Sequence, residues 1–138
     1  MQILKEKSRA KSQITFDEDF NVPDAKPDAG RLIQNKGRII MDDVRLTDGK
    51  GILTGNLQVD ILYVGEERGI VSSLTAKLPF EETLNLKNII NGDKMCLKWE
   101  IEDLTIRLIH SRKLNIKALV TFCATVDLSL IHISEPTR

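Results

Sequence analysis

An antiparallel β-sandwich or partly open barrel of about seven strands is the fold this sequence predicts. Three observations predict it. In Leu53, Gly55, Leu57, Val59, Ile61 and Tyr63, apolar residues and one glycine hold every second place, with Thr54, Asn56, Gln58 and Asp60 between them. That period of two marks a half-buried strand. Leu114, Ile116, Ala118, Val120, Phe122, Ala124 and Val126 repeat the alternation. Ahead of the first run stands Asp48-Gly49-Lys50-Gly51, and Asp-Gly between alternating strands signals a hairpin.

The elements follow in chain order. Residues 1–13 read as a flexible N-terminal segment, and Ile14, Phe16 and Phe20 begin an edge strand. Pro23 and Pro27 force extended or turn geometry on a rigid lead-in loop presenting Asp24, Asp28 and Arg31, with a local Asp–Arg pair. Asp28 is placed to cap a short helix reaching Gln34 or Asn35, weakened by Gly30. In the next strand Ile39 and Met41 are apolar at odd positions, Val44 and Leu46 at even ones. The phase slips across Asp42-Asp43, as a β-bulge produces.

The same slip recurs across Glu102-Asp103, between Leu97, Trp99, Ile101 and Leu104, Ile106, Leu108. His110-Ser111-Arg112-Lys113 then stands where the glycine-rich turn stood. An internal duplication of a bulged hairpin, residues 43–64 and 103–126, is the reading. Between the copies, residues 65–69 form a turn. Ile70, Ser72, Leu74, Ala76, Leu78 and Phe80 keep one face in phase, continued by Glu82, Leu84 and Leu86. Pro79 makes this an edge strand or breaks it. Asn88 to Asp93 link to the second copy. The β-domain spans residues 14–128. Ser129 to Arg138 are similar to a translated sequencing-library adapter and are read as a non-native tail, His132 included.

Composition narrows the function classes. The 138 residues suffice for one domain with its own core, and 20 basic residues balance 20 acidic ones. Nucleic acid is therefore not the expected partner, and scarce aromatics argue against a base-stacking or sugar platform. Apolar runs are too short to insert in a bilayer, and the N-terminus lacks the apolar core of a secretory signal, so a cytoplasmic setting is expected. Cys96 and Cys123 form no metal-ligand spacing and lie on the polar faces of their strands. A disulfide becomes geometrically possible if those strands are neighbours, though the cytosol would keep both as thiols.

No catalytic constellation is present. Glu81 and Glu82 are adjacent in a strand and point to opposite faces, so they are not a glycosidase pair; Glu100 reads as another solvated acid. His110 lies in a turn without a positioned acid. Trp99 and Tyr63 are in phase with core residues and are expected to point inward. Arg112 and Lys113, with Arg107 and Lys117, form a modest basic spot. Catalytic, cofactor-binding and metal residues are all expected to be absent.

The stretches PDAGRLIQNKGRIIMDDVRLTDGKGILTGNLQVDILYV, SLTAKLPFEETLNL and KWEIEDLTIRLIHSRKLNIKALVTF resemble the SPOCS domain. It occurs in spore-coat-associated proteins of endospore-forming Firmicutes, often in several copies before a LysM module. The resemblance spans about Ile14 to Val126. Where many members carry Asp before the basic turn pair, this chain has His110 before Ser111-Arg112-Lys113. The resemblance implies a non-enzymatic structural domain that binds other spore morphogenetic or coat proteins in the mother-cell cytoplasm, at the forespore surface. Peptidoglycan binding is tied to a LysM pattern, which this chain lacks.

The expected mode is protein interaction through sheet edges or exposed faces. The bulges re-aim Asp42, Asp43, Glu102 and Asp103 outward, making them contact candidates with Arg107 and Arg112. Replacing Arg107 and Arg112 with Glu is expected to weaken partner capture without unfolding. The alternative is a glycan-binding β-module of the cell or spore envelope, which needs a shallow groove with exposed aromatics.

Overall fold

A computed structural model of the chain describes residues 6–47, 49–67, 69–86 and 94–127. Asp48 of the first turn, the linker from Asn88 to Asp93 and the tail from Ser129 to Arg138 lie outside the described residues. Among the described residues, six long strands form the domain: β1 (Glu6–Asn21), β2 (Ala29–Thr47), β3 (Lys50–Gly65), β4 (Val71–Asn85), β5 (Lys94–His110) and β6 (Lys113–Asp127). They make two three-stranded antiparallel sheets, β1-β6-β5 and β2-β3-β4. The sheets face each other, with β2 against β5 and β1 against β4, so β3 and β6 are central in both senses.

Six strands rather than seven follow from how the chain absorbs its irregularities. Register shifts fall between Met41 and Asp43 and between Ile101 and Asp103, where the apolar phase slips, and neither ends its strand. Pro79 lies inside β4, whose pairing with β3 runs without a shift from Asn85 to Val71. On an edge strand a proline can turn its missing donor away from the ladder. Two further expectations are corrected. β1 starts at Glu6, so residues 6–13 are paired strand, with Ala10 and Ile14 packed on the core. Asp28 caps no helix, because β2 begins at the next residue.

The core is what the alternation dictates. Leu53, Leu57, Val59, Ile61 and Tyr63 of β3 are buried against Leu114, Ile116, Val120 and Phe122 of β6 and Leu74, Ala76, Leu78 and Phe80 of β4. Phe80 meets Phe16 edge-on at 6.1 Å and Phe122 at 5.3 Å, so aromatic contact joins β4 of one sheet to β1 and β6 of the other. Where β1 passes β4, the Ser12 hydroxyl donates to Glu82 Oε2. Glu82 thus turns inward and Glu81 outward, as adjacent strand residues must.

Candidate interaction surface

One end of the sandwich gathers the β1–β2 loop, the β3–β4 turn and the β5–β6 turn. The chain crosses from one sheet to the other there, in residues 22–28, and those backbone groups must find partners outside a ladder. Val22 N donates to Arg112 O, Ala29 N to Ser111 O and Glu66 N to Asp28 O, each at 2.8 Å. Lys26 N closes a turn on Pro23 O at 2.9 Å. Tyr63, fully buried, donates its hydroxyl to Pro27 O at 2.8 Å.

Arg112 holds this loop. Its Nη1 donates to Lys26 O at 2.7 Å and to Asp28 Oδ1 at 2.9 Å; its Nη2 donates to Pro23 O at 2.8 Å and Val22 O at 3.1 Å. A planar guanidinium with five fixed donors suits such a ring of acceptors. His110 supports the turn by accepting the Arg112 backbone N–H on Nδ1 at 3.1 Å. Arg112 is therefore an internal anchor, with about a third of its side chain left exposed. The Asp–Arg pair of the loop is Asp28 with Arg112, an ion pair at 2.9 Å across the domain, rather than with Arg31 nearby.

The other contact candidates divide between the two faces. Asp42 accepts from Asn56 Nδ2 at 3.1 Å, and Asp43 lies 3.5 Å from Arg45, both on the outer face of β2-β3-β4. Glu102, Asp103 and Arg107 belong to the opposite sheet and are exposed. Glu102 accepts from the Thr121 hydroxyl, which in turn accepts from Gln13 Nε2 at 3.3 Å. The six residues thus form no single patch; the fold distributes them over two faces and one end. Further along the same sheet, Asn115 Nδ2 donates to Asp17 Oδ1 at 2.9 Å and Asp19 Oδ1 at 3.0 Å. That bond holds the Asp19 carboxyl below its ordinary range.

Trp99 corrects an expectation. It pairs with buried Phe122 and shares the phase of Leu97 and Ile101, yet 41% of it is exposed. β5 is a sheet edge, and an inward phase on an edge strand does not guarantee a cover. Trp99 lines a shallow groove with Arg9, Lys11, Lys98, Glu100 and Cys123. Cys123 pairs with Lys98 and Cys96 with Thr125 on the neighbouring strand, so the cysteines are diagonal neighbours. Diagonal positions sit roughly 7–8 Å apart, beyond usual disulfide reach, and both remain thiols. Among the described residues no group of His, Cys, Asp and Glu is placed to hold a metal ion.

Burial raises the Tyr63 phenol above its ordinary value of 10.0. A raised phenol contributes stability that is complete below the unfolded-state value and lost as pH climbs through the folded-state one. Tyr63→Phe is expected to cost about 1 kcal/mol at neutral pH and to flatten the alkaline decline above about pH 10. Paired urea melts at neutral and alkaline pH check both effects.

The fold and its open faces define a class: a β-sandwich domain of two three-stranded antiparallel sheets whose distinctive side chains hold the fold or face solvent. The chain belongs to the SPOCS-domain family, since the family described as SipL, SPOCS domain matches residues 28–109, more than half its length. The match runs from the Arg112-bound Asp28 through β2, β3, β4 and nearly all of β5. Membership marks a sporulation-related protein, in a family not known for enzymatic activity. Neither the curated proteins nor the solved structures contain a match to the chain.

Proposed function

We propose that this chain is a non-enzymatic scaffold domain of spore coat or spore envelope assembly, working in the mother-cell cytoplasm at the forespore surface. The family match over residues 28–109 carries the reading. The sandwich adds flat, charged faces of the kind that bind proteins without a pocket. The partners are other morphogenetic or coat proteins of an endospore-forming Firmicute, and peptidoglycan is reached through a separate LysM module. Asp103 and Arg107, both exposed and outside the Arg112 anchor, serve as probes. Asp103→Lys with Arg107→Glu is expected to lower recovery of a coat protein from sporulating-cell lysate about tenfold, some 1.4 kcal/mol, with an unchanged melting curve. Undiminished recovery would remove these contacts.

A second reading is favoured by one observation, the half-exposed Trp99 in its groove. An indole left 41% exposed at a sheet edge suits stacking on a saccharide, and muropeptide binding that disappears in Trp99→Ala would support a glycan-binding module.

We also infer that the two bulged hairpins are copies. β3 carries β4 on its open side, and β6 carries β1. Superposing Asp43 on Asp103 then has to bring Thr54 onto Leu119 and Glu81 onto Thr15; failure to do so removes the duplication.

A further inference from the structure

The outer faces of the two sheets carry charge in bands, and the bands match. On β1-β6-β5, Lys11, Cys123 and Lys98 form one row across the three strands. The next row places Glu100 beside Thr121, and four residues from Cys123 along β6, Leu119 pairs with Asp103. A cationic band is thus followed by an acidic one. On β2-β3-β4, Asp43, Thr54 and Glu81 form one row, and four residues along β3, Gln58 stands between Arg38 and Lys77. Here an acidic band is followed by a cationic one. Both separations are four residues on a central strand, about 13 Å. All eight charged side chains are exposed.

We propose that copies of this chain stack head to tail, the outer face of β1-β6-β5 in one copy on the outer face of β2-β3-β4 in the next. Lys11 and Lys98 meet Asp43 and Glu81, while Glu100 and Asp103, both on β5, meet the one of Arg38 and Lys77 that lies on their side. Lys11 and Lys98 flank one row and Asp43 and Glu81 the other, so that pairing tolerates either sideways sense of docking, and the acids of β5 face Arg38 in one sense and Lys77 in the other. Pairing two β1-β6-β5 faces satisfies less, because Glu100 shares its row with Gln13 and Asp103 with Thr15. Only the β2-β3-β4 face sets two acids on one row against the two lysines. Arg45 draws on Asp43 at 3.5 Å, which leaves Glu81 the larger share of the attraction. Different patches meeting head to tail do not close on themselves, so the product is an open stack.

The stacking would supply the scaffold with one of its contacts, but it stands on the charge bands alone and is tested on purified protein. At low salt the mass by sedimentation is expected to rise with concentration past the dimer, and at about 0.5 M salt to fall to the monomer. Lys11→Glu with Lys98→Glu makes both faces acidic at the lysine and Asp43 rows; Asp43→Lys with Glu81→Lys makes both basic. Each variant alone is expected to stay monomeric at ten times the concentration at which the parent stacks, and an equal mixture to stack again. Circular dichroism establishes that both variants keep the fold. A chain monomeric at every salt and concentration overturns the proposal, as does a closed dimer indifferent to Asp43 and Glu81, or a mixture that fails to restore stacking. Such a result leaves capture of other coat proteins to be judged by the lysate experiment.

Discussion

Replacing Arg112 with alanine is expected to lower the unfolding free energy by about 3 kcal/mol. Its guanidinium donates to three backbone carbonyls and one carboxylate, and the side chain is about two-thirds covered. Without it, the Lys26, Pro23 and Val22 carbonyls lose a charged donor, and Asp28 keeps its charge beside them. Hydrogen bonds to charged groups contribute roughly 1.5–3 kcal/mol each; partial exposure and water entering the gap bring the sum down. Arg112→Lys retains the charge but gives up the fixed fork, so about half the loss should return. Arg112→Glu should cost more than alanine, since it faces a carboxylate with a carboxylate. Urea titration reads all three; a midpoint shared by wild type and Arg112→Ala would show that the loop is held by its backbone bonds alone.

Gly55→Ala is expected to destabilise by about 3 kcal/mol or more, at the upper end of overpacking costs. Gly55 pairs with Met41 beside the first bulge, and a Cβ there would lie 2.3 Å from the Ile40 carbonyl oxygen and 3.1 Å from Phe80 Cζ. The carbonyl is backbone fixed by the bulge, and Phe80 is wedged between Phe16 and Phe122. Neither can give way without reopening the strand pair. Gly37→Ala on the adjacent strand is the control. Its Cβ would press Leu104 Cδ2 at 2.9 Å, the tip of a flexible side chain, and should cost no more than about 1 kcal/mol. Thermal melts of the two variants should differ by several degrees; equal melting temperatures would show that the bulge yields.

The strands and their inward faces were legible because alternation is a local signal. Burial of Leu53 through Tyr63 and Leu114 through Val126 follows residue by residue from a period of two. The phase slips marked both bulges for the same reason. The count of strands was not legible, since the same slip can end a strand or bend it, and only pairing with a partner decides. Trp99 shows the limit of phase: Phe122 and Trp99 are cross-strand partners, yet one lies in a central strand and the other at an edge. Arg112 shows a different limit. Its acceptors are carbonyls some ninety residues away, and carbonyls leave no mark in a sequence.

By itself, the sequence determined an all-β chain of hairpins, the face each strand buries and the family to which it belongs, because these depend on neighbours a few positions apart. The tertiary structure alone decided that β1 completes the second sheet and that one arginine binds the crossing loop. It also decided that opposite faces present matching bands of charge. Those features arise from contacts between segments far apart in the chain, whose register no local pattern encodes.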